Sequence, residues 1–528
     1  MMEKNSFTRC TPEEAGIPSS AVMRLLDQLE YGGFTEMHGL MIMRGDRICT
    51  EGWWAPYAPG LQHVLYSLSK TWTATAIGLA EYAGLLSVTD RVCDILPEYM
   101  PEILSERAAS VTIRDLLTMT GGSETERMDY GPGWKEDFFA RNFEHEPGTF
   151  WFYNTHGTAI LSAIVEKVTH MSMIDWLDQK LFSVIGVDRR HILCRKDQDG
   201  TCLGGHGMFA TTEDNLRLMR LYLHGGVWEN VRLLSRKFAE DAVRPQADCA
   251  PAHAGMPWFY DNCCGYGYQI WMTRPEGAYR ADGAFGQFAV VVPKLDLIVS
   301  ITEAGYIGKR VMQNTLNREH GLPDVMPDHP VPGPQSTLDA LFEILIPAID
   351  PSVSHLPPSH ESRILQERLH RLAIPRPAGW VPSDPSKKLD VALVPDGEPF
   401  SFGLLQGLGV QPEHGQGVER LYLVSDGYRL TIRFLENGKE HLIEADMRGG
   451  FITGRLDYSD AGEVCSETAS AAWWDGDQLH LSVLWTETVS HNRYTFDFGS
   501  DCVNIRKWTE SGISDPLAER LTTCRILA

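Results

Sequence analysis

The chain has 528 residues, with 47 Lys and Arg against 70 Asp and Glu and a formal net charge of −23; that balance speaks against a nucleic-acid partner, which needs clustered cations to neutralise phosphates. Hydrophobic residues at 43% and charged residues at 22% match soluble globular chains and leave no room for a disordered or membrane-embedded class. Single cores rarely grow beyond about 250 to 300 residues, so at least two domains are expected.

The opening MMEKNSFTRCTPEEAG lacks the apolar core of a signal peptide, and no later stretch reaches roughly 18 uninterrupted apolar residues, so no membrane attachment and a cytoplasmic location are the default expectations. Eleven scattered cysteines suit a reducing compartment better than a disulfide framework. The vicinal pair Cys263 and Cys264 reads as two incidental or buried thiols.

In chain order, PSSAVMRLLDQLEY at 18–31 predicts a capped amphipathic helix, and MHGLMIMRGDRICTEGWW predicts two strands around a tight Arg44-Gly45-Asp46 turn. From about 67 to 240 the pattern is mostly helical: TIRDLLTMT, TAILSAIVEKVT and TTEDNLRLMRLYLHGG carry apolar residues at spacings of three and four. YGYQIWM, FGQFAVVVP and LDLIVSIT then return to β-branched and aromatic strand texture. Strands, a helical block and strands again predict one α/β domain whose sheet is assembled from both ends, with the helical block as an insertion. LPDVMPDHPVPGPQS at 322–336 is dense in proline and predicts a stiff linker, followed by a helix at LDALFEILIPAI. Beyond about residue 378, turn signals such as SDG, ENG and WDGD separate short strands in which QLHLSVLW and RYTFDF alternate inward and outward residues. Repeated hairpins predict a small antiparallel barrel or sandwich. The expected boundaries are a first domain at 1–321, a linker region with helices at 322–377 and a β domain at 378–528.

HVLYSLSKTWTATAIGLAEYAGLL at 63–86 places Ser67 and Lys70 three residues apart at the mouth of a helix. A serine hydroxyl is a poor nucleophile without a neighbouring base, and residues three apart on a helix are neighbours. The same residues also allow a plain helix start, with Ser69 as the cap. A lysine acting there must be partly desolvated.

The stretch HVLYSLSKTWTATAIGLAEYAGLLSVTDRV resembles the active-site helix of the penicillin-recognising serine hydrolases, the superfamily of class C β-lactamases, D,D-peptidases, D-aminopeptidases and related esterases. The resemblance continues through VTIRDLLTMTGG, EPGTFWFYNTHGTAILSAIVEKVT, GGHGMFATTEDNLRLMRLYLHGG and GAFGQFAVVVPKLDLIVSIT, and covers roughly residues 10–320. It implies a β-lactamase/transpeptidase-like α/β (α+β) fold, an antiparallel sheet with helices on both faces, and a lipocalin-like C-terminal barrel of about eight strands. It also implies Ser67 as nucleophile, Lys70 as its base partner and Tyr153 as the tyrosine of the second motif, whose phenol becomes useful where an ammonium favours phenolate. That motif reads Tyr153-Asn154-Thr155, with Thr where the family has Asn, so the amide that orients β-lactam side chains is missing. The third motif, Lys-Thr-Gly or His-x-Gly in the family, aligns with Ala281-Asp282-Gly283, a shift of a few residues remaining open. The resemblance then gives Ala284 the second oxyanion amide, beside that of Ser67. With no Lys or His at the first position, Arg280 or Tyr279 are the candidates for substrate binding, against a plain solvated strand-end arginine.

His156 and His206 can be read as triad histidines, but no GxSxG surrounds any serine. No HExxH or zinc-spaced Cys and His pairs occur, so no metal or organic cofactor is expected. The expected function is hydrolysis of a small ester, amide or peptide through an acyl-enzyme. The alternatives are β-lactam hydrolysis or penicillin binding, and a sensor or scaffold on the same fold without turnover.

Overall fold

The structure, a computed structural model, describes residues 6–31, 35–126, 129–253, 257–305, 333–375, 386–396, 400–404, 417–459, 464–509 and 520–527. These fall into two compact units, one within Met1–Trp53, Pro59–Glu303 and Gly333–Leu372, the other within Trp54–Ala58, Ala304–Pro332 and Ala373–Ala528. Most of the proline-dense stretch at 322–336 lies outside the described residues.

The first unit is built on a seven-stranded sheet of β1 (Thr8–Arg9), β2 (Thr35–Arg44), β3 (Arg47–Trp53), β4 (Trp271–Thr273), β5 (Ala278–Gly283), β6 (Gln287–Val292) and β7 (Leu297–Gly305), in the order β1-β3-β2-β7-β6-β5-β4. The chain therefore supplies three strands before the helical block and four after it, as the alternation of textures requires. The pairings β2–β3, β4–β5, β5–β6 and β6–β7 are antiparallel, and the two-residue contact of β1 with β3 is parallel. Between β2 and β3, Gly45 (φ 56°) and Asp46 (φ 60°) both take the left-handed conformation that a two-residue hairpin turn demands. Along β6, Ala289 and Val291 join the core shared with the helical block, while Phe288, Val290 and Val292 face the other way and are equally buried. A sheet covered on both sides reads as a continuous apolar run, and FAVVV does.

On the helical side lie α2 (Ser69–Tyr82), α3 (Thr155–Thr169) and α4 (Thr212–Leu223). Every residue of α2 from Ser69 to Ala80 is buried, so this helix runs through the interior, where the hydroxyls of Thr71, Thr73 and Thr75 donate to the carbonyls of Gln269, Gly204 and Thr71. The start of α4 is fixed by a capping box in which Thr211 and Asp214 bond each other's backbone N–H. The amphipathic α1 (Ser19–Tyr31) buries Val22, Leu25, Leu26 and Leu29, packing against β2 and against the helices of 333–372, among them α5 (Pro334–Ala340) and α6 (His360–Leu369). Among the described residues no helix is long and apolar enough to cross a membrane.

The second unit is a barrel of β8 (Leu389–Pro395), β9 (Val418–Ser425), β10 (Arg429–Glu436), β11 (Lys439–Asp446), β12 (Ile452–Arg455), β13 (Glu467–Asp475), β14 (Gln478–Trp485), β15 (His491–Phe498), β16 (Cys502–Thr509) and β17 (Arg520–Leu527). Nine of them form a closed ring, in keeping with the barrel of about eight strands expected. Closure falls at a single parallel bridge between Asp446 of β11 and Ala471 of β13, beside which Ile452 to Arg455 of β12 pair with Ser470 to Glu467 of β13. Closing the sheet removes its unpaired edges, and the alternation of QLHLSVLW puts Leu479, Leu481, Val483 and Trp485 in the interior.

Candidate active site

Ser67 sits in a 3-10 turn, Tyr66–Leu68, that runs directly into α2. Its neighbour Tyr66 has φ 46°, a left-handed conformation that a bulky side chain adopts only where the surroundings impose it. The Tyr66 ring meets Phe285 edge-on at 5.1 Å, and Phe285 is itself left-handed at φ 65° in the β5–β6 turn. Ser69 does not cap the helix; its hydroxyl accepts from the Met208 N–H at 3.1 Å and ties α2 to the short strand Met208–Ala210.

Lys70 projects from the first turn of α2 and is 1% exposed. Its Nζ donates to Ser67 Oγ at 3.0 Å, to the Gly205 carbonyl at 2.6 Å and to Thr155 Oγ1 at 3.3 Å, and lies 4.7 Å from the centre of the Tyr153 ring. None of these partners is a carboxylate, so burial dominates and lowers the amine to about 7, with the nearby Glu126 pulling weakly the other way. The Gly205 carbonyl is held close because the GGHG loop presses on the helices: a Cβ on Gly204 would meet Ser162 Oγ at 2.2 Å, and one on Gly205 would meet the Thr155 carbonyl at 2.7 Å.

The second motif lines the opposite wall. Tyr153 is half-buried, stacks on Trp271 at 5.8 Å and shares a hydrogen bond with Ser67. Burial raises its phenol above the ordinary value, with Asp282 and Glu126 adding to the rise and the Ser67 bond opposing it. The phenol is thereby kept protonated, which differs from the phenolate that a neighbouring ammonium alone would favour. Asn154 is the N-cap of α3, accepting from Gly157 N–H at 2.7 Å while its amide donates to the Thr125 carbonyl at 3.1 Å. Thr155 opens α3 and turns its hydroxyl to Lys70.

Sequence reasoning missed Glu126. Its two carboxylate oxygens accept from the Thr155 N–H at 2.9 and 2.8 Å, and burial raises its carboxyl while Thr155, Lys70 and Arg141 draw it back down. It lies in the loop SETERMDYG, where no periodicity or motif singles out one acid from the next.

The third wall is the end of β5. A Cβ on Gly283 would stand 2.1 Å from the Leu65 carbonyl, so only glycine lets this strand approach the serine turn. Gly283 pairs with Gln287 across the turn that carries Ala284, whose carbonyl accepts from Gln287 Nε2 at 3.2 Å. Arg280 is not a solvated strand end: it is 0% exposed, and its guanidinium donates to Asp282 at 2.7 Å, to the Asn262 side chain, and to the carbonyls of Met272 and Asp261 at 3.2 and 3.4 Å. Tyr279, on the opposite face of the strand, belongs to the core. His206 is buried near Lys70 and its imidazole is pushed down to about 3, by burial first and then by Lys70, Arg195 and His156. His156 faces Arg141 and the Asp129 carbonyl, each at 3.0 Å.

Residues 28–321 match the family model described as Beta-lactamase. A 6-aminohexanoate-dimer hydrolase of Paenarthrobacter ureafaciens is 25% identical over 312 residues, 55% of this chain and 78% of that protein. Penicillin-binding protein 4 of Amycolatopsis lactamdurans is 28% identical over 277 residues, 45% of this chain and 71% of that protein. The solved octameric penicillin-binding protein homologue from Pyrococcus abyssi aligns with a TM-score of 0.43 and 14% identity, covering 96% of this chain and 99% of that one. The family model spans more than half of the chain and takes in all three walls of the site, and the chain accordingly belongs to the Beta-lactamase family as a serine hydrolase.

Proposed function

We propose that the protein cleaves an ester or an amide, including a peptide bond, through an acyl-enzyme on Ser67. The observation that carries this reading is the 3.0 Å bond between Lys70 Nζ and Ser67 Oγ, made by a lysine that burial holds near neutrality. A neutral amine there accepts the Ser67 proton as Oγ attacks the carbonyl. The backbone amides of Ser67 and Ala284 receive the oxyanion. Tyr153, protonated and bonded to Ser67, passes its proton to the leaving group and is reprotonated from the Lys70 ammonium, which returns the amine to its neutral form before water releases the acyl group.

Specificity derives from what the walls lack. Thr155 stands where an amide would orient a β-lactam side chain, and the cation that β5 itself carries, Arg280, is wholly buried and occupied by four acceptors. Both features support ordinary ester or amide substrates over β-lactams. The relative named as a 6-aminohexanoate-dimer hydrolase points the same way.

The test is turnover of a short-chain nitrophenyl ester by the protein and by Ser67→Ala, with intact mass recorded in parallel. Product release and a transient acyl adduct are expected in the first and neither in the second. Undiminished release by Ser67→Ala overturns the reading, and a stable adduct without release replaces it with a sensor that stays acylated.

A further inference from the structure

We propose that Glu126 is a positioning residue that acts on Lys70 through Thr155, supplying the negative charge that steadies the ammonium formed when Lys70 takes the Ser67 proton. The inference rests on the acyl-enzyme reading above and adds a third member to its nucleophile–base pair.

The geometry is a short chain of contacts. Ser67 Oγ is 3.0 Å from Lys70 Nζ, Lys70 Nζ is 3.3 Å from Thr155 Oγ1, and the Thr155 N–H lies 2.9 and 2.8 Å from the two oxygens of Glu126. The single Thr155 N–H shared by its two oxygens opposes the rise that burial imposes on this carboxyl and favours its charged form at that contact. The carboxylate also sits at the N-terminus of α3, a helix of 15 residues, where the aligned peptide dipoles favour negative charge. Glu126 thus stays one residue away from Lys70 instead of touching it. A direct ion pair would hold Lys70 permanently protonated and useless as a base; a carboxylate behind Thr155 leaves the resting amine neutral and still favours its protonated form in the transition state. This is the arrangement in which a base is itself supported by a third group.

The charged and titratable groups around the pair come from every side of the site. Glu126 feels Lys70 from α2 and Arg141 beyond the loop, and it acts on Tyr130 and Tyr153. Lys70 also faces His206, which burial keeps neutral. Among the described residues Arg141 and Lys70 are the cations that act on Glu126, and of these Lys70 reaches Ser67.

The experiment is the pH profile of kcat/KM for the protein, Glu126→Gln and Glu126→Asp on one nitrophenyl ester, with Ser67→Ala as the control for the underlying reading. Gln keeps the acceptor for Thr155 but removes the charge; Asp keeps the charge but shortens the reach. The expected result is an acid limb displaced to lower pH in Glu126→Gln, with a plateau lowered about tenfold, and an undisplaced limb in Glu126→Asp whatever its plateau. An unmoved limb in Glu126→Gln, or equal displacement in both variants, overturns the proposal by showing that packing and not charge is at work. Retained turnover in Ser67→Ala overturns the acyl-enzyme reading itself, and the role of Glu126 falls with it.

Discussion

Two lysines of the first unit are almost wholly buried, Lys70 at 1% and Lys135 at 2% exposure, and their surroundings pull them in opposite directions. Lys135 bonds Asp197 at 2.7 Å, in a pocket where Trp134 Nε1 also donates to that carboxylate at 2.8 Å. Burial works against its charge, but the bond and charge of Asp197 outweigh it and raise the amine above its usual value. Lys70 has a hydroxyl pair and a carbonyl as partners, and burial lowers it to about 7. Burial alone therefore does not make a lysine into a base. The distance to the nearest carboxylate decides, and around Lys70 that carboxylate is set back behind Thr155.

The comparison breaks most sharply at Lys70→Met. Loss of kcat/KM by about four orders of magnitude is expected, the scale seen when one member of a nucleophile–base unit is removed. The same variant is expected to be more heat-resistant than the parent near pH 7. Holding a lysine at about 7 instead of 10.5 costs on the order of 5 kcal/mol. The sign comes from proton uptake: between those values the unfolded chain binds the proton that the folded one refuses, so the penalty is full below about pH 7, shrinks as pH rises between the two values and disappears above about 10.5. Thermal melts at pH 7 and pH 10.5 check it, and a variant less stable than the parent at both would contradict it.

Lys135→Met should do the reverse, leaving kcat/KM within a few-fold while destabilising the fold by about 3–5 kcal/mol, because Asp197 is left buried without its counter-charge. Denaturant titration together with one kinetic assay separates the two lysines. Tyr153→Phe is expected to lower kcat about a hundredfold, since the ring still stacks on Trp271 but no proton is passed to the leaving group. Of these changes the smallest effect is expected from the wild-type pH profile and Thr155→Val together. The profile of kcat/KM should rise through about pH 7 as Lys70 loses its proton, and Thr155→Val, which deletes one of three acceptors around Nζ, should lower the plateau about tenfold.

What could be read from the chain beforehand was what lies close in sequence. The spacing of Ser67 and Lys70 is a property of one helical turn, and the glycine and strand textures around Gly283 are local too. The left-handed Tyr66 carries no such mark, because nothing about a tyrosine announces that Phe285 and the serine turn will force its backbone. Arg280 was open between solvent and substrate because its partners Asn262 and Asp261 come from a distant segment. Glu126 reaches Thr155 across 29 positions, among several equally acidic neighbours. In the barrel, alternation and turn signals specify strands one at a time, whereas the number in the ring depends on β8 meeting β17 and on the single bridge at Asp446 and Ala471, contacts that no local pattern encodes.

The close approach at Gly283 carries a consequence for how this site can be lost. The gap between the sheet edge and the Leu65 carbonyl is narrower than a methyl group, so the width of the cleft is set by a hydrogen atom. Any other residue there would wedge the strand away from the serine turn and carry the amide of Ala284 with it. A chain altered only at that position would keep its serine, its lysine and its tyrosine, and would look intact to anyone checking for reactive groups, while the two amides proposed to grip a carbonyl stood too far apart to do so.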